Sequence, residues 1–301
     1  MKSGFISILG RPNAGKSTLL NQLVGVKLAI VANKPQTTRT SIQGVLTLPE
    51  AQIVFLDTPG IHKADSLIGK RMMDAVRAAL DERDLLLLVV DAMRKFGAHD
   101  AQAIDLVRKA RTPTLLVLNK IDLLPKDKGA LLRLIEQYRG LYEFADYLPI
   151  SARSGVGLEE LRQAIIARLP EGPAYFPPDH ITDQPERFLA AELIREKILE
   201  ATREEVPHSV AVLVESWEDT PQLIHIHATV YVERAGQKGI LIGARGALLK
   251  SVGTLARQEM ETIFGRRVYL DVHIKVQPKW REKPGFLAAL DWRTMAGVDE
   301  N

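Results

Sequence analysis

Across residues 1–169, apolar positions fall in short unbroken runs separated by stretches of helical period. FISIL (5–9), LLLLVVDA (85–92) and TLLVLNK (114–120) consist of such runs, the last two ending in polar residues. Runs of this kind suit strands buried on both faces of a parallel sheet. IQGVLTL (42–48) and QIVFLDT (52–58) read as an adjacent antiparallel pair, and YLPI (147–150) as a sixth strand. DAQAIDLVRKA (100–110), GALLRLIEQYRGL (129–141) and GLEELRQAIIARL (157–169) carry apolar residues at helical spacing. The alternation predicts a three-layer α/β domain over 1–170, with a mostly parallel six-stranded sheet and ligands at the carboxyl ends of its strands.

The pattern then changes. PEGPAYFPPDHITDQP (170–185) is crowded with proline and has no period, which predicts a semi-stiff linker over 171–185. A second unit, α+β, is expected over 186–293. ERFLAAELIREKILEATREE (186–205) is an amphipathic helix. SVAVLVESWE (209–218) and LIHIHATVYVER (223–234) are strands joined by DTPQ. KGILIGARGALLKSVGTLARQEMETIF (238–264) reads as helix, glycine loop, helix, and VYLDVHIKV (268–276) as a last strand. Trp280, Phe286 and Trp292 predict a tail docked on this unit, with 294–301 disordered.

Composition narrows the chemistry. The 301 residues include no cysteine, so disulfides, thiolate catalysis and cysteine-based metal sites are excluded. MKSGFISILGRPNAGK does not read as a signal peptide, and no apolar run reaches membrane-spanning length, so a cytoplasmic protein is expected. The net charge of +3 is uneven: residues 234–283 hold eleven Lys/Arg and four Asp/Glu, a local +7, leaving −4 elsewhere. A basic segment on an acidic body suggests a polyanionic partner.

Four motifs carry the first domain's chemistry. GRPNAGKS (Gly10, Arg11, Pro12, Asn13, Ala14, Gly15, Lys16, Ser17), followed by Thr18, is a phosphate-binding loop between a strand and a helix. Its Lys16 reaches the β- and γ-phosphates, and Ser17 ligates Mg²⁺. DTPG (Asp57, Thr58, Pro59, Gly60) supplies a carboxylate for Mg²⁺ and, at Gly60, a backbone donor for the γ-phosphate. NKID (Asn119, Lys120, Ile121, Asp122) selects guanine, because Asp122 accepts from N1–H and the exocyclic amine, neither of which adenine offers. Sites of this kind discriminate by ~10⁴ or more. SAR (Ser151, Ala152, Arg153) would aim a backbone N–H at guanine O6. A phosphate-loop kinase or ATPase has no use for NKID and SAR.

In the second unit, Gly243-Ala244-Arg245-Gly246 joins two amphipathic helices inside the order α-β-β-α-α-β, the type II KH topology. Such a loop clamps the backbone of a single strand of RNA. Arg245 would pair with phosphate, Ile240 and Ile242 would line the base groove, and Lys250, Arg257, Lys275 and Lys279 would extend the basic footprint. His225 and His227 share a strand face but have no third ligand in register, so they are read as sheet residues and not as zinc ligands.

With GRPNAGKST, KPQTTR, DTPGIHK, NKID, SAR and the glycine loop in this order, the chain resembles the Era family of bacterial ribosome-associated GTPases over almost its whole length. The resemblance implies GTP hydrolysis, binding of the 3′ end of 16S ribosomal RNA through the KH domain, and assistance to small (30S) subunit assembly; a monomer that does not bind DNA is expected. Peripheral association with the inner membrane, known for such proteins, finds no anchor in the sequence. The alternative is a GTPase whose second domain docks a protein or a membrane. By resemblance, Thr38 of KPQTTR closes on Mg²⁺ when GTP is bound. Ile61 stands where many GTPases carry a catalytic glutamine, and is expected to shield the site. Relatives with asparagine at the position of Asn13 use K⁺ there. Lys16, Thr38, Gly60 and Asn13 are therefore the expected catalytic residues, with GTP/GDP, Mg²⁺ and K⁺ as cofactors.

Overall fold

The computed structural model describes residues 1–295 except 35, 63, 64, 82, 126, 127 and 205. Pro35 of KPQTTR, Lys63 of DTPGIHK and most of the 294–301 tail expected to be disordered lie outside the described residues. The described chain forms two compact units. The first comprises Met1–Ala29, Thr38–Ala64 and Gly69–Asp183; the second comprises Ile30–Thr37, Asp65–Ile68 and the chain from Gln184 onward.

The first unit runs β1 (Lys2–Leu9), α1 (Lys16–Val24), β2 (Ile42–Thr47), β3 (Ala51–Asp57), α2 (Leu67–Ala78), β4 (Leu85–Asp91), α3 (Ala98–Ala110), β5 (Thr114–Asn119), α4 (Lys128–Arg139), β6 (Asp146–Pro149) and α5 (Leu158–Arg168). Its sheet has the order β2-β3-β1-β4-β5-β6. Only β2 is antiparallel to its neighbour. The central strands show why their sequences are apolar throughout. In β4, Leu85, Leu87 and Val89 enter one hydrophobic cluster, while Leu86, Leu88 and Val90 enter another. Successive side chains point to opposite faces, so a strand covered on both sides needs an apolar residue at every position.

The proline-rich stretch 171–183 runs along the outer strands of this unit. The Val45 N–H donates to Ile181 O at 2.7 Å. The Gln52 side chain accepts from the N–H groups of Tyr175 and Phe176 at 2.7 and 2.9 Å, and donates to Phe176 O.

The second unit continues α6 (Glu186–Ala201), β7 (Ala211–Asp219), β8 (Leu223–Val232), α7 (Ala235–Ile242), α8 (Ala247–Phe264), β9 (Arg267–Val276), α9 (Pro284–Ala289) and α10 (Trp292–Met295). Its sheet is β7-β8-β9, with β7 antiparallel and β9 parallel to β8. Along β8 the alternate residues Ile224, Ile226, Ala228, Val230 and Val232 join α6 and α8 in one core. His225 and His227 lie on the opposite, more open face. Ile30 belongs to this same core. Trp280 is fully buried, donates from Nε1 to Ser209 O at 2.8 Å, and packs beside Phe286, so the tail is fastened to this unit. Thr294 and Met295 fall in the short helix α10.

Candidate functional site

The phosphate loop lies between β1 and α1, with Gly15 immediately before the helix. Gly60 approaches it so closely that a Cβ there would sit 2.7 Å from Pro12 Cα. Lys16 is buried and folds back on the loop, donating to the carbonyls of Gly10 and Arg11 at 3.1 Å each. Burial lowers its pKa to about 8, with the Asp57 charge opposing. A phosphate would replace those two carbonyl contacts with charged ones.

Ser17, Thr38 and Asp57 converge. Ser17 Oγ donates to Asp57 Oδ2 at 2.6 Å and lies 2.8 Å from Thr38 Oγ1. The other carboxylate oxygen of Asp57 is buried with no hydrogen-bond partner among the described residues. Burial raises this carboxyl to about 6, against the nearby Lys16 charge and the Ser17 hydroxyl. Two hydroxyls beside an orphaned buried carboxylate oxygen suit a hard divalent cation. Mg²⁺ therefore fits this set, and it would neutralise charge between the terminal phosphates of a bound nucleotide. Thr37 is turned elsewhere, donating to Lys34 O at 2.6 Å, so Thr38 is the hydroxyl of this pair that meets Ser17.

Asn119, at the end of β5, ties three loops together. It donates to Ala14 O at 2.8 Å and accepts from the N–H groups of Lys120 and Ala152 at 2.8 and 2.9 Å. Lys120 donates to Asn13 O at 2.7 Å and to Asp91 Oδ2 at 2.8 Å. Ile121 donates from its N–H to Ile150 O. These contacts leave Asp122 exposed at the rim, without a hydrogen bond among the described residues and available to a base.

Several predicted site residues take other parts. Ile61 is not a shield over the phosphates: its side chain is fully buried in the cluster of Leu9, Met73 and Val76, and its N–H donates to Gly10 O at 3.1 Å. The Thr58 hydroxyl is also interior, donating to Ile8 O at 2.8 Å. Arg11 pairs with Asp100 on α3 at 3.0 Å. The Ala152 N–H donates to Asn119 Oδ1 at 2.9 Å, so within SAR this backbone donor already has a partner. Ser151 is buried and its hydroxyl accepts from Ser154 N–H, while Arg153 is exposed. Asp91 was missed in the sequence; its signal was a lone carboxylate ending an otherwise apolar strand.

In the second unit Gly243 has φ 70° and ψ −179°, and a Cβ there would lie 2.8 Å from Leu248 Cβ. Glycine is the residue that tolerates this turn. Ala244 and Arg245 are exposed, and Arg245 is itself left-handed at φ 53°. Beside the loop lies a groove of about 350 Å³, lined by Gly246, Leu249, Lys250, Gly253, Thr254 and Arg257 from the loop and α8, and Leu270 and Val272 from β9. Ile240 and Ile242 are not among its lining residues, and Ile240 is exposed. The apolar floor comes from Leu249, Leu270 and Val272, which no local pattern marks because only the packing of α8 on β9 brings them together.

Comparison with known proteins agrees with this geometry. The family described as 50S ribosome-binding GTPase matches residues 5–120, and the KH domain family matches 205–281. The chain is 49% identical to GTPase Era of Heliobacterium modesticaldum over 95% of its own length and 96% of that protein. It resembles the crystal structure of a single-residue variant of Aquifex aeolicus Era bound to GDP and AlF₄⁻, with TM-score 0.93, 41% identity, and 97% and 99% of the two chains covered. It is equally similar, with TM-score 0.93 and 40% identity over 97% and 99% of the chains, to Era in complex with MgGDPNP and nucleotides 1506–1542 of 16S ribosomal RNA. An exposed carboxylate at the rim, a phosphate loop beside a buried carboxylate, and a second unit with a glycine turn thus occur together in a chain that belongs to the Era family of GTPases.

Proposed function

We propose that this GTPase uses its KH unit to bind the 3′ end of 16S ribosomal RNA and thereby assists assembly of the small ribosomal subunit in the cytoplasm. The observation that carries the reading is the groove beside the glycine loop. Its apolar floor suits unstacked bases, and Lys250 and Arg257 on its wall suit the phosphates of a single strand. The Era relative bound to nucleotides 1506–1542 of 16S ribosomal RNA supports the same partner. Fluorescence anisotropy with a single-stranded RNA of that sequence tests it. Binding should weaken as salt rises. It should be lost when Ala244 and Arg245 are both replaced by aspartate, a change at exposed positions that leaves the core untouched. Unchanged affinity in that variant would overturn the reading in favour of a protein- or membrane-docking module. No single helix among the described residues is long and apolar enough to cross a membrane.

Potassium is proposed as an activator of hydrolysis. Asn13 is exposed and left-handed at φ 62°, and its side chain makes no hydrogen bond among the described residues. A cation there would offset charge developing between the β- and γ-phosphates. Single-turnover rates in KCl should exceed those in NaCl at matched ionic strength, and Asn13→Ala should remove the difference. Equal rates in the two salts for the unaltered protein would refute this role.

A further inference from the structure

On the open face of the second unit's sheet, away from the glycine loop and its groove, His227, Asp271 and His273 bring three donor atoms within 4.8 Å of one another. His227 Nδ1 lies 3.0 Å and His273 Nε2 lies 3.2 Å from the same carboxylate oxygen, Asp271 Oδ2. We propose that these three side chains form a binding site for a borderline divalent transition-metal ion of the zinc type.

The sheet builds the cluster. In the parallel pairing of β8 with β9, His227 stands opposite Asp271 and Thr229 opposite His273. Residues two apart on a strand share a face, so Asp271 and His273 project to the same side as His227. A tetrahedral zinc site with bonds of about 2.0–2.1 Å places neighbouring donors roughly 3.3 Å apart. The two donor-to-carboxylate distances are close to that edge already, and the two imidazole rings, with centroids 4.8 Å apart, have only to close on each other. Two imidazoles with one carboxylate favour zinc, cobalt or nickel over magnesium or calcium, which prefer oxygen throughout. The side chains are 41%, 40% and 55% exposed, so an ion would reach them directly and keep water in its remaining position. The ammonium of Lys275, two residues beyond His273 on the same strand, is drawn to Glu215 on β7 at 3.3 Å. The ion would clip the outer strand β9 to β8.

The test uses the full chain, stripped of transition metals and loaded with Mg²⁺ and GDP so that the nucleotide site is filled. Co²⁺ is titrated in and its visible d–d absorption followed. One equivalent should give the bands of a four- or five-coordinate ion, and Zn²⁺ should displace them. His227→Ala and His273→Ala should each weaken binding by at least about tenfold, while His225→Ala, on the same strand, should not. Asp271→Asn, which keeps the side chain's size, should behave like the histidine variants. Circular dichroism establishes that each variant is folded. Absence of the bands from the unaltered protein, or equal Co²⁺ affinity in both His227→Ala and His273→Ala, would overturn the site and leave a hydrogen-bonded His–Asp–His cluster in its place.

Discussion

Ile61 answers at the residue scale what replaces a catalytic glutamine: nothing does so from its side chain, which is wholly buried. Truncating a buried isoleucine typically costs about 2–5 kcal/mol. Ile61→Ala should therefore lower stability to chemical denaturation by that amount, while hydrolysis per folded molecule stays within about tenfold of the parent. A rate loss far beyond tenfold with unaltered stability would contradict the assignment. Asp122 is the opposite case, an exposed carboxylate with no hydrogen bond among the described residues. Asp122→Asn should shift preference from GTP toward XTP in competition binding, because the amide can donate to the carbonyl that replaces the guanine amine. Asp57 gives a pH prediction. Its folded-state value of about 6 is raised above the ordinary 3.8 by burial. Between those values the folded chain holds a proton that the unfolded chain has released, so this carboxyl makes stability fall as pH rises. The penalty is complete above about pH 6. In nucleotide-free protein Asp57→Asn should flatten that decline, as read by denaturation across the interval.

Helix α8 does two things at the scale of an element. Val252, Ala256 and Met260 bury one stripe in the core, while Leu249, Lys250, Gly253, Thr254 and Arg257 wall the groove. Gly253 belongs to the groove wall, and a Cβ built there meets no atom of the described residues within 4 Å beyond its own helix backbone and chain neighbours. Its missing side chain keeps the groove open, although glycine inside a helix costs up to about 1 kcal/mol relative to alanine. Gly253→Ala should therefore raise stability by a few tenths to about 1 kcal/mol. Gly253→Leu should fold as well as the parent yet weaken RNA binding at least tenfold in anisotropy. If the leucine variant binds RNA normally, the groove is not where the strand lies.

At the scale of the whole molecule, the segment between α1 and β2 divides. Residues 30–37 group with the second unit, and Thr38 with the first. Ile30 is buried in the second core, the Val31 N–H donates to Glu196 Oε1 on α6 at 2.7 Å, and Arg195 donates to Thr37 O. The next residue, Thr38, faces Ser17. A loop read as part of the nucleotide switch thus shares a core with the KH helices. The Val31 amide should exchange hydrogen as slowly as the amides of α6, and Glu196→Ala should release it by tenfold or more. Fast exchange of Val31 in the parent protein would show that this anchoring does not persist in solution.

Both folds and the GTPase class were legible in local patterns along the chain. Strands buried on both faces must be apolar at every position, as in β4, and phosphate and guanine recognition depends on contiguous loops, so short-range order suffices to show them. The α-β-β-α-α-β order with a glycine turn between helices was legible for the same reason. Register and packing between distant segments are not written in any local pattern and emerge only when the chain folds. Parallel pairing of β9 with β8 brings Asp271 and His273 to His227, and the packing of α8 on β9 makes Leu270 and Val272 a groove floor. Ile61, expected from the sequence to shield the site, is buried in the core instead. Ile30, only fourteen residues beyond Lys16, joins a core whose other buried members begin at Ala190, because long-range burial of apolar surface follows the fold and not the proximity of residues along the chain.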